Sequence, residues 1–129
     1  GLPHRRGAGA GVRLRRRVAG GAAVHAGCVP RHRAQELRQR AAQLSALGIL
    51  AQIRAAIGGD WQKLVQIVRL CGYVNATPDF THHPAVVNGA SELFVDLFGE
   101  RGRHTRSAVG VASLPMDWAV EIDAIVEIS

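Results

Sequence analysis

Two cysteines, Cys28 and Cys71, are all that the chain carries, too few for the disulfide framework of a small secreted scaffold. Cys71 lies in an apolar stretch where a packed, reduced thiol is the usual state, so a reducing, cytoplasmic compartment is expected. No apolar run approaches the ~18 residues that a membrane-spanning helix needs, which leads to the expectation of a soluble protein with no membrane partner. The sequence also lacks a glycine-rich phosphate loop, a Ser-His-Asp set and paired cysteines at zinc spacing, and so lacks the signatures of the chemistries those patterns carry.

The deepest deficit is local. The first forty residues, GLPHRRGAGAGVRLRRRVAGGAAVHAGCVPRHRAQELRQR, contain no Asp, Asn, Ser, Thr, Lys, Phe, Tyr or Trp. Such a segment has little with which to fill a core, and it has no sustained period. Its charge is one-sided: residues 1–59 hold eleven arginines against a single acid, Glu36, whereas residues 60–129 hold five basic and nine acidic residues. Three readings compete. A basic arm could bind the phosphate backbone of a nucleic acid by releasing counterions, but without aromatics among its arginines it offers no platform on which bases stack. A transit peptide is also arginine-rich and poor in acids, yet it is serine-rich and amphipathic, and the first serine here is Ser45. The third reading is that GC-rich codons for Arg, Ala, Gly and Pro have been read in a slipped frame. On this third reading, residues 1–32 form an atypical Arg/Ala/Gly-rich segment, disordered or misread, and residues 33–129 form one domain. A chain of 129 residues can bury a single core, and oligomerisation would help it to do so.

From Arg33 onward the pattern becomes regular. Leu37, Ala41, Leu44, Leu47, Ala51 and the Ile53/Ile57 pair recur at three- and four-residue steps, and Gly58-Gly59 supplies a stop, so an amphipathic helix is expected. Leu64 to Val74 is dense in Val, Ile and Leu and reads as a strand, with Gln66 and Arg69 on different faces. After the turn-rich 75–79 connection, a second helix begins near His83 with Pro84 in its first turn. Its stripe is Val86, Ala90, Leu93, Phe94, Leu97 and Phe98, and Gly99 closes it.

Residues 104–128 carry the chemistry. Ser107 to Ser113 alternates Val109 and Val111 with Ala108, Gly110 and Ala112, as a half-buried strand does. Leu114-Pro115-Met116-Asp117 turns the chain. From Trp118 to Ile128 a second strand sets Val120, Ile122, Ala124, Val126 and Ile128 on one face, and Glu121, Asp123, Ile125 and Glu127 on the other. A face that mixes acids with Ile125 is expected to meet another subunit or a cleft. Taken as a hairpin, the two strands bring a guanidinium, Arg106, and a carboxylate, Glu121, near the ends of paired strands. The order helix, strand, helix, strand, strand makes an α+β fold, two helices on one face of a mixed sheet. Three strands make a thin sheet, and the strands expected before the first helix are degenerate or missing.

The run VNATPDFTHHPAVVNGASELFVDLFGERGRHTRSAVGVASLPMDWAVEIDAIVEI, residues 74–128, resembles the RidA/YjgF family, in the subgroup labelled L-PSP-like endoribonuclease. The resemblance extends back through AAQLSALGILAQIRAAIGGDWQKLVQIVRL to residue 41. Its most specific blocks are Arg-Ser-Ala-Val-Gly-Val-Ala-x-Leu-Pro at 106–115, Val-Glu-Ile-Asp-Ala-Ile at 120–125, and Val-Asn-Gly-Ala-Ser with Phe-Gly-Glu on the second helix. It implies a chorismate-mutase-like subunit of a homotrimer with intersubunit clefts, and a hydrolytic deaminase that turns reactive enamines or imines into a 2-oxo acid and ammonia. In that reading Arg106 binds the substrate carboxylate, Asn88 lies near the same cleft, and Glu121 is the catalytic group that positions or activates water. Neither a metal nor an organic cofactor is implied. Two other functions are compatible with the resemblance: a non-catalytic trimeric module that binds or senses a small carboxylate, and an L-PSP-type endoribonuclease or translation inhibitor acting on nucleic acid.

The chain departs from the family pattern in two places. The Ser-Gly-Gln segment usual on the early strands has no counterpart beyond the glycine of His25-Ala26-Gly27-Cys28-Val29-Pro30, and the position two after the arginine, often cysteine, is Ala108. Among other polar residues, His82 and His83 are adjacent and point about 100° apart on a helix, so they do not face one metal. His104 reads as an exposed loop histidine, Arg101 and Arg103 as solvated, and Cys71 as a core thiol.

Overall fold

The structure, a computed structural model, describes residues 14–22 and 31–129. Six main elements follow one another: β1 (Leu14–Ala22), α1 (Arg31–Ala56), β2 (Leu64–Asn75), α2 (His83–Phe98), β3 (Thr105–Val111) and β4 (Val120–Ile128). The strands form one four-stranded sheet in the order β1-β4-β2-β3. β4 runs antiparallel to both of its neighbours, and β2 and β3 are parallel. Both helices contribute to a single core against one face of this mixed sheet, the α+β arrangement expected. No helix among the described residues is long and apolar enough to cross a membrane.

β1 lies inside the segment where degenerate or missing strands were expected. Its sequence, LRRRVAGGA, has little β propensity, yet a strand at a sheet edge needs only backbone donors and acceptors opposite a ready ladder. β4 supplies that ladder, with Arg15 opposite Glu127 and Gly21 opposite Glu121. Residues 1–13 and 23–30, including His25 to Pro30, lie outside the described residues.

α1 turns a different face inward from the one its leucines suggest. Ala41, Ala42, Ser45, Ala46, Ile49 and Ile53 are buried, while Leu44 is 57% and Leu47 49% exposed. Small side chains win because α1 and α2 approach closely: a Cβ on Gly89 of α2 would collide with the Gln39 carbonyl of α1. The buried Ser45 hydroxyl is satisfied by donating to the Ala41 carbonyl at 2.9 Å. The helix ends as Gly58-Gly59 predicts, in a Schellman arrangement with bonds from Gly58 to Ala55 and from Gly59 to Arg54. Gly58 has φ of +64° there.

In β2 the buried residues are Leu64, Ile67, Leu70, Gly72 and Val74, a pattern that slips twice before settling to period two. Register shifts against β4 between Leu64 and Gln66 and between Ile67 and Arg69 are the cause. These irregularities pair Gln66 with Glu127 and Arg69 with Ile125, so the two share the outer face instead of splitting between faces. Gly72 is required where α2 crosses, since a Cβ would meet the Val87 side chain. Of the expected α2 stripe, Leu97 stays exposed, and Val86, Val87, Ala90 and Phe94 form the buried contact.

Candidate functional site

β3 and β4 do not form the expected hairpin. β2 lies between them, so Arg106 and Glu121 are separated by a whole strand. They also stand on opposite faces. Arg106 pairs with the buried Leu70, on the side of the sheet that the helices cover, whereas Glu121 pairs with Tyr73 on the outer side. Consecutive strands often pair, but here α2 carries the chain from β2 across to a parallel β3 at the edge, and β4 returns to fill the place inside.

On the helix side, the Arg106 guanidinium is fixed by α2. Nη1 donates to Ser91 Oγ at 3.1 Å, and Nη2 donates to the Pro84 carbonyl at 3.4 Å. Positions 84, 88 and 91 lie within about 60° of one another around a helix, so Asn88 falls on the stripe that Arg106 spans. Asn88 thus shares a stripe of α2 with the two residues that hold Arg106, while Glu121 stands elsewhere.

Ser91 and His104 complete this arrangement. Ser91 Oγ and His104 Nε2 are 2.9 Å apart, and His104 Nδ1 lies 2.6 Å from the Gly102 carbonyl oxygen. A carbonyl only accepts, so Nδ1 carries the proton and Nε2 accepts from the serine hydroxyl. Ser91 in turn accepts from Arg106, and the chain of donors runs from Arg106 through Ser91 and His104 to Gly102. Burial pushes the His104 pKa below its ordinary value; the bond to Gly102 opposes this and the nearby Arg106 charge adds to it. The imidazole is neutral in this network. It also packs edge-on to Phe94, with ring centroids 6.3 Å apart. His104 is thus a half-buried, fully bonded residue and not an exposed loop histidine. Gly102 makes its placement possible, because a Cβ there would strike the Phe94 carbonyl. Ser91 stands in the Val-Asn-Gly-Ala-Ser block of the resemblance, but no role for it is legible in the sequence; its spacing of seven from Pro84 is the clue, visible once Arg106 is known to cross α2.

The outer sheet face carries Glu121, Asp123, Ile125 and Glu127 beside Arg69, Cys71 and Tyr73 of β2. Asp123 is 9% and Glu127 7% exposed, with Glu121 and Ile125 half-buried, so this acidic face is not a freely solvated one. Cys71 is half-buried on this face rather than in the core. Of the remaining candidates, Arg101 donates to the Leu64 carbonyl at 2.8 Å and lies over Phe98, a structural role, while Arg103 pairs with Glu100 in solvent. His82 and His83 pack edge-on to Phe80. Among the described residues no group of three or more His, Cys, Asp or Glu could hold a metal ion.

Residues 35–127 match the YjgF/chorismate mutase-like, putative endoribonuclease family. The chain is 48% identical over 92 residues to Protein TCP17 of Trypanosoma cruzi, a match covering 70% of this chain and 57% of that protein. It is similar to the crystal structure of a protein of unknown function from Agrobacterium tumefaciens, at 46% identity and a TM-score of 0.74, over 84% of this chain and 65% of that one. The chain therefore spans less than two thirds of the length of each of these relatives. A third likeness is to TdcF of E. coli with bound serine, at 26% identity and a TM-score of 0.54, over 89% of this chain and 81% of that one. The fold, the sequence blocks of the last two strands and these likenesses agree: the chain belongs to the YjgF/chorismate mutase-like, putative endoribonuclease family.

Proposed function

We propose that this chain is the subunit of a homotrimeric hydrolytic deaminase acting on enamine or imine intermediates that bear a carboxylate. The observation that carries this reading is the Arg106 guanidinium, held by Ser91 and Pro84 on an edge strand and flanked by the Asn88 position. A planar fork fixed in advance suits a planar carboxylate. Glu121 faces the other way within one chain, so a neighbouring copy supplies it to the cleft. With the substrate carboxylate on Arg106, Glu121 takes a proton from water as the oxygen bonds to the imine carbon and the C=N bond becomes a C–N bond. Glu121 passes that proton to the nitrogen, then takes the proton of the new hydroxyl and delivers it to the same nitrogen as the C–N bond breaks, so that ammonia leaves as the C=O of the 2-oxo acid forms. The serine bound to E. coli TdcF, an amino acid with a free carboxylate, supports the ligand class.

Ammonia release from an enzymatically generated 2-imino acid tests the proposal. Arg106→Ala is expected to lower kcat/KM by about 10²-fold or more, the loss of two charge-assisted bonds; equal rates for the variant and the parent would remove the reading. Ala108, standing where deaminases of the family often have cysteine, favours one second reading, a trimeric module that binds a small carboxylate without turning it over. Saturable binding with no ammonia from any 2-imino acid selects that reading.

A further inference from the structure

A cleft of about 630 Å³ opens where β2 and β3 end, beside the first turn of α2 and against α1. None of the residues assigned above to the deaminase site lines it. Its walls include Arg38, Phe80, His83, Gly110 and Asp117. We infer that this cleft is a second binding site, for a small organic monocarboxylate with an apolar or aromatic body.

Arg38 is the first reason. Its guanidinium carbon lies over the Phe80 ring, 5.0 Å from the centroid, which sets the cation on the cleft wall. Its Nε is buried with no hydrogen-bond partner. A buried cationic donor without an acceptor is costly, and an anion beside the same guanidinium offsets part of that cost.

The second reason is the fold around Arg38. β2, α2 and β3 form a strand, helix, parallel-strand unit, and in open sheets of such units ligands bind outside the carboxyl ends of the strands. The amino-terminal end of α2 stands there without a side-chain cap, since His82 makes no capping bond. Its positive end adds to the attraction for an anion. The floor is bare at Gly110, where a Cβ would collide with the His83 imidazole. His83 is in turn held edge-on to Phe80, with centroids 5.3 Å apart. Val111 and Ala112 continue the wall with apolar surface for the body of the ligand.

Asp117 limits the charge that the cleft accepts. Asn75 Nδ2 donates to Asp117 Oδ1 at 3.2 Å and to the Trp118 carbonyl at 3.1 Å, which fixes the carboxylate on the cleft wall. Met116 and Asp117 have φ of +55° and +57°, a left-handed pair that sets the turn in this position. A negative charge on the wall of the same cleft disfavours dicarboxylates and phosphate esters and leaves a single carboxylate as the best match.

Phenylacetate, titrated into the full chain and followed by amide NMR, tests the inference. Saturable shifts are expected at Ala76, Phe80, Gly110 and Val111, with phenylacetamide, the neutral isostere, binding at least about tenfold more weakly. Arg38→Gln is expected to weaken phenylacetate about tenfold or more. Asp117→Asn is expected to tighten it, because asparagine tolerates the left-handed backbone while the like charge is gone. Arg106→Ala is expected to leave these shifts unchanged, which separates this site from the proposed deaminase site. Comparable binding of phenylacetamide, full affinity in Arg38→Gln, or shifts centred on Ser91 and His104 would overturn the inference. Should Arg38→Gln lose its folded spectrum, the acid-amide comparison and Asp117→Asn decide the question.

Discussion

The separation of Arg106 and Glu121 onto opposite faces and different strands makes a quantitative prediction about mixed assemblies. Arg106→Ala and Glu121→Gln are each expected to reduce activity about 10²-fold or more, one by loss of two charge-assisted bonds and the other by loss of a general base. If the proposed cleft takes its arginine from one copy and its glutamate from the next, the interface is heterologous and closes into a ring of three. In trimers assembled at random from equal amounts of the two inactive variants, each cleft then has one chance in two of an intact arginine and one in two of an intact glutamate. About a quarter of the parent activity returns. A cleft built from a single chain gives a different answer, since every chain is defective and the mixture stays at the floor. The reciprocal mixture sharpens the contrast: parent chains with the double variant give about a quarter of full activity for shared clefts and about a half for unshared ones. The assay is ammonia release after co-refolding, with native mass spectrometry to establish that mixed trimers formed. Mixed trimers with no activity above the single variants would refute the assignment of the two residues to a shared cleft.

Three further outcomes follow from the geometry on the helix side of the sheet. Ser91→Ala breaks the bonds to both Arg106 and His104; it is expected to cost about 1 kcal/mol in urea unfolding and to raise KM more than it lowers kcat, because the loosened guanidinium binds less well. His104, held below its ordinary pKa by burial, resists a proton that the unfolded chain takes up near pH 6.5. Its contribution to stability is thus present above about pH 6.5 and is lost as pH falls through the folded pKa; urea midpoints at neutral and acid pH should differ less for His104→Gln than for the parent, and an equal difference would contradict the argument. Gly89→Ala drives a methyl into the Gln39 carbonyl between the two helices, and a loss of about 1–3 kcal/mol is expected in the same unfolding experiment.

The sequence made some of this legible and hid the rest for identifiable reasons. The inward face of β4 was plain because five apolar residues alternate with three acids and Ile125, and the end of α1 was plain because two glycines can adopt positive φ. The α1 face was misread because hydrophobicity ranks Leu44 and Leu47 above Ala42 and Ala46, whereas close helix packing at Gly89 selects for small size. Strict period two puts Gln66 and Arg69 on different faces, but two register shifts interrupt the period, and these depend on pairing with a distant strand. β1 was not recognised, since arginine and glycine carry little β signal and its partner lies a hundred residues away. The blocks that carry the family resemblance point to Arg106, Asn88 and Glu121 individually; which of them share a face depends on strand order, a long-range property that local pattern does not encode.

That strand order gives the two halves of the proposed cleft unequal standing. Arg106 is held by bonds within its own chain, so its fork is set before ligand or neighbour arrives, and binding spends little on ordering it. Its strand, β3, is an edge among the described residues, with one side free of any described strand of the same sheet. An exposed edge is where a second chain can approach, and among the described residues no helix lies across the outer face that bears Glu121, Val109 and Ile125. The same topology that keeps Arg106 and Glu121 apart within one subunit thus leaves each of them at a surface where copies can meet. On the proposed reading assembly is a condition of chemistry: dilution below the dissociation constant of the assembly should abolish turnover while leaving the Arg106, Ser91 and His104 network, and the fold that holds it, intact.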